Sequence, residues 1–233
     1  MTLNPYVLEE TDNFAVVFKP AGMHSVPLKQ KSGGTLLEWY APQANIMHRL
    51  DCETHGLVLF AKNRESFNFF KEVQDEGNFI KEYSAICKNN SSDNNANGFP
   101  QPPVFSDMCP SFENPLVIES FFRPFGPGRK QVRPVIDDSK KHYETAKDKG
   151  GTYKTEIIMI HDNVFTVRLR RGFRHQIRCH LCWIGRPIQG DSLYTQQDSQ
   201  PLALRAHALF FPDPSTGRQR EYRIDSLDNV GIQ

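Results

Sequence analysis

Residues 48–63, His48-Arg49-Leu50-Asp51-Cys52-Glu53-Thr54-His55-Gly56-Leu57-Val58-Leu59-Phe60-Ala61-Lys62-Asn63, join a polar loop to an apolar run. Leu57 to Phe60 is short enough to be a buried strand. The loop ahead of it holds seven functional side chains, and loops held by a rigid scaffold are where catalytic groups concentrate. A carboxylate beside an arginine and two histidines is a candidate nucleophile or general base, kept ionised by the adjacent positive charge. His48, Arg49, Asp51 and Thr54 are therefore candidate site residues. The plain alternative is that Arg49 and Asp51 satisfy each other and the loop backbone.

Working outward, Asn63 is placed to cap a helix with Phe67, Phe70 and Val73 at helical spacing, ending near Gly77. On the other side, Val7 to Lys19 is rich in Val and Phe and reads as one strand entering the turn Pro20-Ala21-Gly22. Thr35-Leu36-Leu37-Glu38 has capping-box spacing and predicts a short helix to Tyr40. Phe79 to Cys87 predicts another strand. Residues 88–115 contain five prolines with Asn and Ser clusters and predict an irregular insertion. Tyr153–Ile160 and Val164–Arg170 predict a hairpin, Arg174–Ile184 a helix closed by Gly185, and Leu202–Phe211 with Glu221–Ile224 a last hairpin. Frequent hairpins and few helices predict an α+β fold on a bent, mixed and mostly antiparallel sheet.

The chain has 233 residues, enough for one sizeable core, and nothing in it is long and apolar enough to span a bilayer. One domain over residues 1–233 is expected, with no separate domain ahead of Val7. Five irregularly spaced cysteines point to a reducing compartment, so the cytoplasm is the expected location. The net charge is only +1, but residues 163–190 hold six arginines and no acid. A second acid-free stretch, 120–136, holds Arg123, Arg129, Lys130 and Arg133. Such segregated charge can neutralise phosphates, or it can pair with acids that folding brings near.

The 48–63 segment and four other stretches together carry one family's motifs. HRLDCETHGLVLFAKN closely resembles the HRLD-x-x-T-S-G-L signature of RluA-type pseudouridine synthases. FAVVFKPAGMHSVP is similar to that family's opening strand and Lys-Pro-Ala-Gly turn, and IKEYSAI to its Lys-x-Tyr motif. GFRHQIRCHLCWIGRPIQGDSLY resembles its His-Gln-Ile-Arg helix with the Gly-Asp-x-x-Tyr that follows, and LALRAHALFFPDPSTG its closing hairpin. The matches run in the family's order and cover nearly the whole chain outside 88–115.

The resemblance implies an isomerase that converts uridine to pseudouridine within ribosomal or transfer RNA, with no cofactor, no metal, no membrane and no obligate protein partner. Asp51 would attack the base or the ribose anomeric carbon. Arg49 would fill the space left by a flipped nucleotide. Tyr83 would stack on the base, and Ile177 would close the other side of the pocket. His48, Thr54 and Arg178 complete the expected substrate-binding set. Two departures stand out. The family's arginine before His-Gln-Ile-Arg is Phe173 here, with Arg174 one place later, so Arg174 is expected to pair with Asp51, with Arg171 and Arg178 as alternative donors. His55 replaces the usual serine.

Three rival chemistries are weaker. His175, Cys179 and Cys182 share a helical face, but no second pair of ligands accompanies them, as a structural zinc would need. Cys52 between His48 and His55 lacks an orienting third group. Gly126-Pro127-Gly128-Arg129-Lys130 has the wrong spacing for a phosphate-binding loop and is a turn. A different class of function keeps the fold and RNA binding without catalysis.

Overall fold

The computed structural model describes residues 4–28, 33–88, 98–105, 109–136, 151–195 and 200–227. They form two compact units, one from residues 1–83 with 204–233 and the other from residues 84–203. Both are built from hairpins and a few helices, an α+β organisation.

In the first unit β1 (Tyr6–Glu10), β2 (Phe14–Lys19), β4 (His55–Ala61) and β10 (Leu204–Pro212) follow one another in hydrogen-bonded order. β3 (Asn45–Ile46) pairs with β4 and β11 (Gln219–Arg223) with β10. All these pairings are antiparallel except β4 with β10, which run parallel. The stretch 7–19, expected as one strand, is a hairpin. Thr11 Oγ1 accepts from the Asn13 and Phe14 amides and turns the chain there, competing with an extended backbone. α1 (Leu36–Tyr40) carries the expected Thr35–Glu38 capping box. α2 (Arg64–Asp75) starts at Asn63, whose side chain accepts from Ser66 N. It lays Phe70 and Val73 on a core made with Phe14, Leu57, Leu59, Phe79 and Phe211. Burying each large side chain there contributes about 1.5–3 kcal/mol.

β5 (Ile80–Ile86) follows β10 in the order, and the division between the units falls within it, after Tyr83. The second unit orders its strands β9 (Val164–Leu169), β8 (Tyr153–His161), β6 (Leu116–Phe125) and β7 (Gln131–Val135). β7 and the part of β6 from Ser120 onward fall in the acid-free stretch 120–136, for which no strand was expected. α3 (Gln176–Trp183) is buried along its length. Of the expected insertion, residues 88, 98–105 and 109–115 hold no helix or strand, and the rest lies outside the described residues. It still packs: Trp183 Nε1 donates to Pro100 O at 2.9 Å, and the buried Arg133 guanidinium lies 4.1 Å from the ring centres of both Phe99 and Phe125.

The first arginines of the acid-free stretch 163–190 are largely answered within the fold. Arg168 and Arg170 reach Glu156 at 4.0 and 3.7 Å, and Arg168 also lies 4.0 Å from the Phe112 ring centre. Arg171 packs on Tyr153 at 4.3 Å.

Candidate active site

The loop that carries Asp51 is fastened to the turn after β2. Ser25 Oγ donates to Leu50 O at 2.8 Å and accepts from Leu50 N at 3.0 Å. Gly22 N donates to Cys52 O at 2.8 Å, and Thr54 N closes a turn on Asp51 O at 3.1 Å. Lys19, wholly buried at the end of β2, donates from Nζ to Pro20 O, Met23 O and Cys52 O at 2.8, 2.7 and 3.2 Å. Burial pushes its ammonium down to about 8, against the charges of Cys52, Asp51 and Glu53, which hold the proton on.

Gly56 makes this closeness possible. It lies opposite Lys19 on β2 and Ala206 on β10. Its φ is +130°, and a Cβ there would stand 2.2 Å from Ala206 O. Only glycine admits both the conformation and the approach, so the loop ends where the two parallel strands pair.

Tyr83, on β5 of the same unit, is buried, and its phenol is pushed well above the usual range by burial and then by the charge of Asp51. Asp51 is therefore felt by both a neutral phenol and a buried ammonium. Arg49 is exposed. His48 makes scaffold contacts. Its Nε2 accepts from Leu59 N at 3.2 Å, its ring meets Phe79 edge-on at 5.3 Å, and burial with nearby Lys81 drives it down to about 3. Thr54 is buried, and its Oγ1 has no hydrogen-bond partner among the described residues.

The remaining expected residues belong to the second unit. Arg174 is exposed, and one terminal nitrogen donates to Arg129 O and Gln131 O at 2.8 and 3.3 Å. Ile177 is buried on α3. Arg178 is buried too. Its Nε and one Nη grip both oxygens of Asp191 at 2.8 and 2.7 Å, and Asp191 also accepts from the Leu193 and Tyr194 amides. The bonds described for Arg178 thus tie α3 to the Gly190–Tyr194 turn. Phe173 stacks on Phe122 at 4.8 Å and packs against Tyr153 at 4.9 Å, an aromatic cluster that accounts for an apolar ring at this position. Gln176 staples the same bend, accepting from Phe173 N and donating to Lys154 O and Thr155 Oγ1.

Sequence reasoning missed three contributors. Lys19, Ser25 and Asp191 were all inside quoted motifs, without roles. The substitution at 55 is answered by Arg205, whose Nε donates to His55 Nε2 at 2.8 Å. Among the described residues no group of three or more His, Cys, Asp or Glu could hold a metal. The Cys179 and Cys182 thiols face the carbonyls of Val132 and Tyr194 at 3.4 and 3.7 Å, and burial pushes both thiols up.

Residues 13–183 match the family model described as RNA pseudouridylate synthase. The dual-specificity RNA pseudouridine synthase RluA of Escherichia coli K12 is 27% identical over 93% of this chain and 91% of its own length. An uncharacterised Caenorhabditis elegans protein, K07E8.7, is 32% identical over 81% of this chain, which spans only 38% of that protein. The solved human RNA Pseudouridylate Synthase Domain Containing 1 shares the fold, with a TM-score of 0.65 at 19% identity over 96% of this chain and 84% of that one. Human RNA Pseudouridylate Synthase Domain Containing 4 does so with a TM-score of 0.60 at 17% identity, over 94% and 88%.

Proposed function

The chain belongs to the RNA pseudouridylate synthase family, of the RluA type, and from that premise we propose that it isomerises uridine to pseudouridine in a structured ribosomal or transfer RNA with Asp51 as nucleophile. The target nucleotide is flipped from its stack into the site, and Arg49, exposed at the loop, takes its place. Asp51 attacks either the uracil ring or the anomeric carbon. The N1–C1′ bond breaks, the base turns, a C5–C1′ bond forms, the bond to Asp51 is released, the proton on C5 leaves, and N1 takes up a proton. Product and substrate have the same composition, so the reaction as written needs no cofactor, redox partner or metal.

The supporting observation is the electrostatic coupling of Tyr83 to Asp51 within one unit. A phenol kept neutral offers the uracil a flat apolar face and an O–H beside the nucleophile. Lys19 and Ser25 are positioning residues, since they hold the loop backbone. Arg174 is proposed as the guanidinium for Asp51 and Ile177 as the apolar wall of the uracil site. Five free cysteines suit a reducing cytoplasm as the place of action.

The test is tritium release from structured RNA carrying 5-tritiated uridine. The wild-type protein should release tritium, and Asp51→Asn should release none above background. Release by neither protein would favour an RNA-binding relative without catalysis, and release by both would remove Asp51 from the chemistry.

A further inference from the structure

We propose that Arg205, oriented by His55, binds a backbone phosphate of the RNA strand next to the Asp51 loop. This rests on the proposed function above, which puts the target nucleotide at Asp51. His55 is the first residue of β4, directly after that loop, and the parallel register sets Arg205 opposite it. Only three residues lie between Asp51 and His55.

The bonding of Arg205 leaves its charge unmet. Nε donates to His55 Nε2 at 2.8 Å and one Nη to Asp225 O at 3.0 Å. Both acceptors are neutral. His55 accepts at Nε2, so its proton sits on Nδ1, and burial, Arg205 and Lys19, in that order, keep the ring uncharged. The other Nη has no hydrogen-bond partner among the described residues. The carboxylate of Asp225 is near enough to favour the cation, yet it makes no ion pair with it. Other arginines differ: Arg178 grips Asp191, Arg220 grips Asp213, and Arg223 grips Glu221.

A half-buried guanidinium without an anion is held at a cost, because burial strips water from the charge. Its planar fork fits phosphate oxygens, and two of its donors are already fixed, so little further ordering is needed on binding. Lys19 adds positive potential at the same place. The ligand that suits a fixed guanidinium at the edge of an RNA-modifying site is a phosphodiester. His55 then serves as an aiming device, which explains an imidazole acceptor where the family usually carries a short hydroxyl.

Filter binding of a structured, 5-tritiated RNA transcript by the full chain, at salt from about 50 to 200 mM, tests this. Arg205→Gln should weaken binding about fivefold or more and lower the slope of log affinity against log salt by about 1. Arg205→Lys keeps the charge and should keep the slope while losing part of the affinity. Asp225→Asn, at an exposed side chain whose backbone bond survives, should tighten binding about two- to threefold by removing a competing acid. If glutamine behaves like wild type, or lysine behaves like glutamine, Arg205 has no phosphate role. Should Arg205→Gln not fold, an unchanged Asp225→Asn together with a lowered slope in Arg205→Lys overturns the proposal. A wild-type protein that neither binds RNA nor releases tritium sinks the proposed function and this inference with it. An active wild type with an unaltered Arg205→Gln slope sinks only the inference.

Discussion

Replacing Arg178 with methionine should be among the most destabilising single changes in the chain, and the reason is Asp191. The two side chains are 1% and 0% exposed, and two charge-assisted bonds of 2.8 and 2.7 Å join them. Methionine fills much of the volume but leaves a carboxylate in the interior with only the Leu193 and Tyr194 amides as donors, at 3.0 and 3.2 Å. Breaking one side of a buried ion pair typically costs about 3–5 kcal/mol. For a chain of this size that lowers Tm by roughly 6–20 °C. The double variant Arg178→Met, Asp191→Asn removes the stranded charge and keeps an oxygen for the two amides. It should recover at least about half of the loss, so the cycle would show a coupling of at least about 2 kcal/mol, larger by whatever Asp191→Asn costs alone. Urea unfolding of wild type, both singles and the double, followed by circular dichroism, gives all four corners. A loss under about 1 kcal/mol in Arg178→Met, or a double variant as unstable as the sum of the singles, would refute the reasoning.

Other expectations can be checked on the same material. Gly56→Ala should cost about 3 kcal/mol or more, because a Cβ would overlap Ala206 O on the neighbouring strand at a φ of +130°; a Tm within a few degrees of wild type would contradict this. Arg174→Ala should lower the tritium-release rate about a hundredfold with RNA affinity within about twofold, since its proposed partner is the nucleophile; an unchanged rate would pass the role to another arginine. Acid should destabilise the fold through His180, fully buried between Ser120 and Thr155 and held down at about 3. The unfolded chain binds a proton near 6.5 and the native chain does not, so stability falls as pH drops from 6.5 toward 3. At pH 5.5 the loss from this group is about 1.4 kcal/mol, and an imidazole resonance of His180 that titrates above pH 5 would disprove it.

What the sequence revealed, and what it hid, divides along a physical line. Local rules were legible: the Thr35–Glu38 capping box, the Asn63 cap and the buried run after Gly56 all formed as expected, because each depends on residues a few places apart. The Thr11–Asn13 turn was missed although its cue is local, because the apolar residues on both sides outweighed one hydroxyl. The arginines show the other side of the line. Six of them in an acid-free stretch look like a surface for phosphates. Yet Glu156 answers two from the adjacent strand, Asp191 answers a third, and Tyr153 covers a fourth. Sequence order says nothing of which acid will arrive opposite which base.

The same distinction explains why the two departures from the family pattern carry different weight. Phe173 in place of an arginine is absorbed by its own unit, where Phe122 and Tyr153 receive the ring. That substitution is paid for by packing and says little about substrate. His55 in place of serine is answered by a charged partner on another strand, and the charge of that partner is not cancelled. A ring that finds aromatic neighbours has reached its final environment. A cation that finds only neutral acceptors has not, so it is at Arg205 and His55, more than at Phe173, that this chain should differ from its relatives in how it holds RNA. Exchanging His55 for serine separates the two cases: Tm should move by less than about 4 °C, while RNA affinity should fall about threefold as Arg205 loses its aim. If the melting temperature collapses and affinity per folded molecule stays constant, the pair is a structural clasp and nothing more.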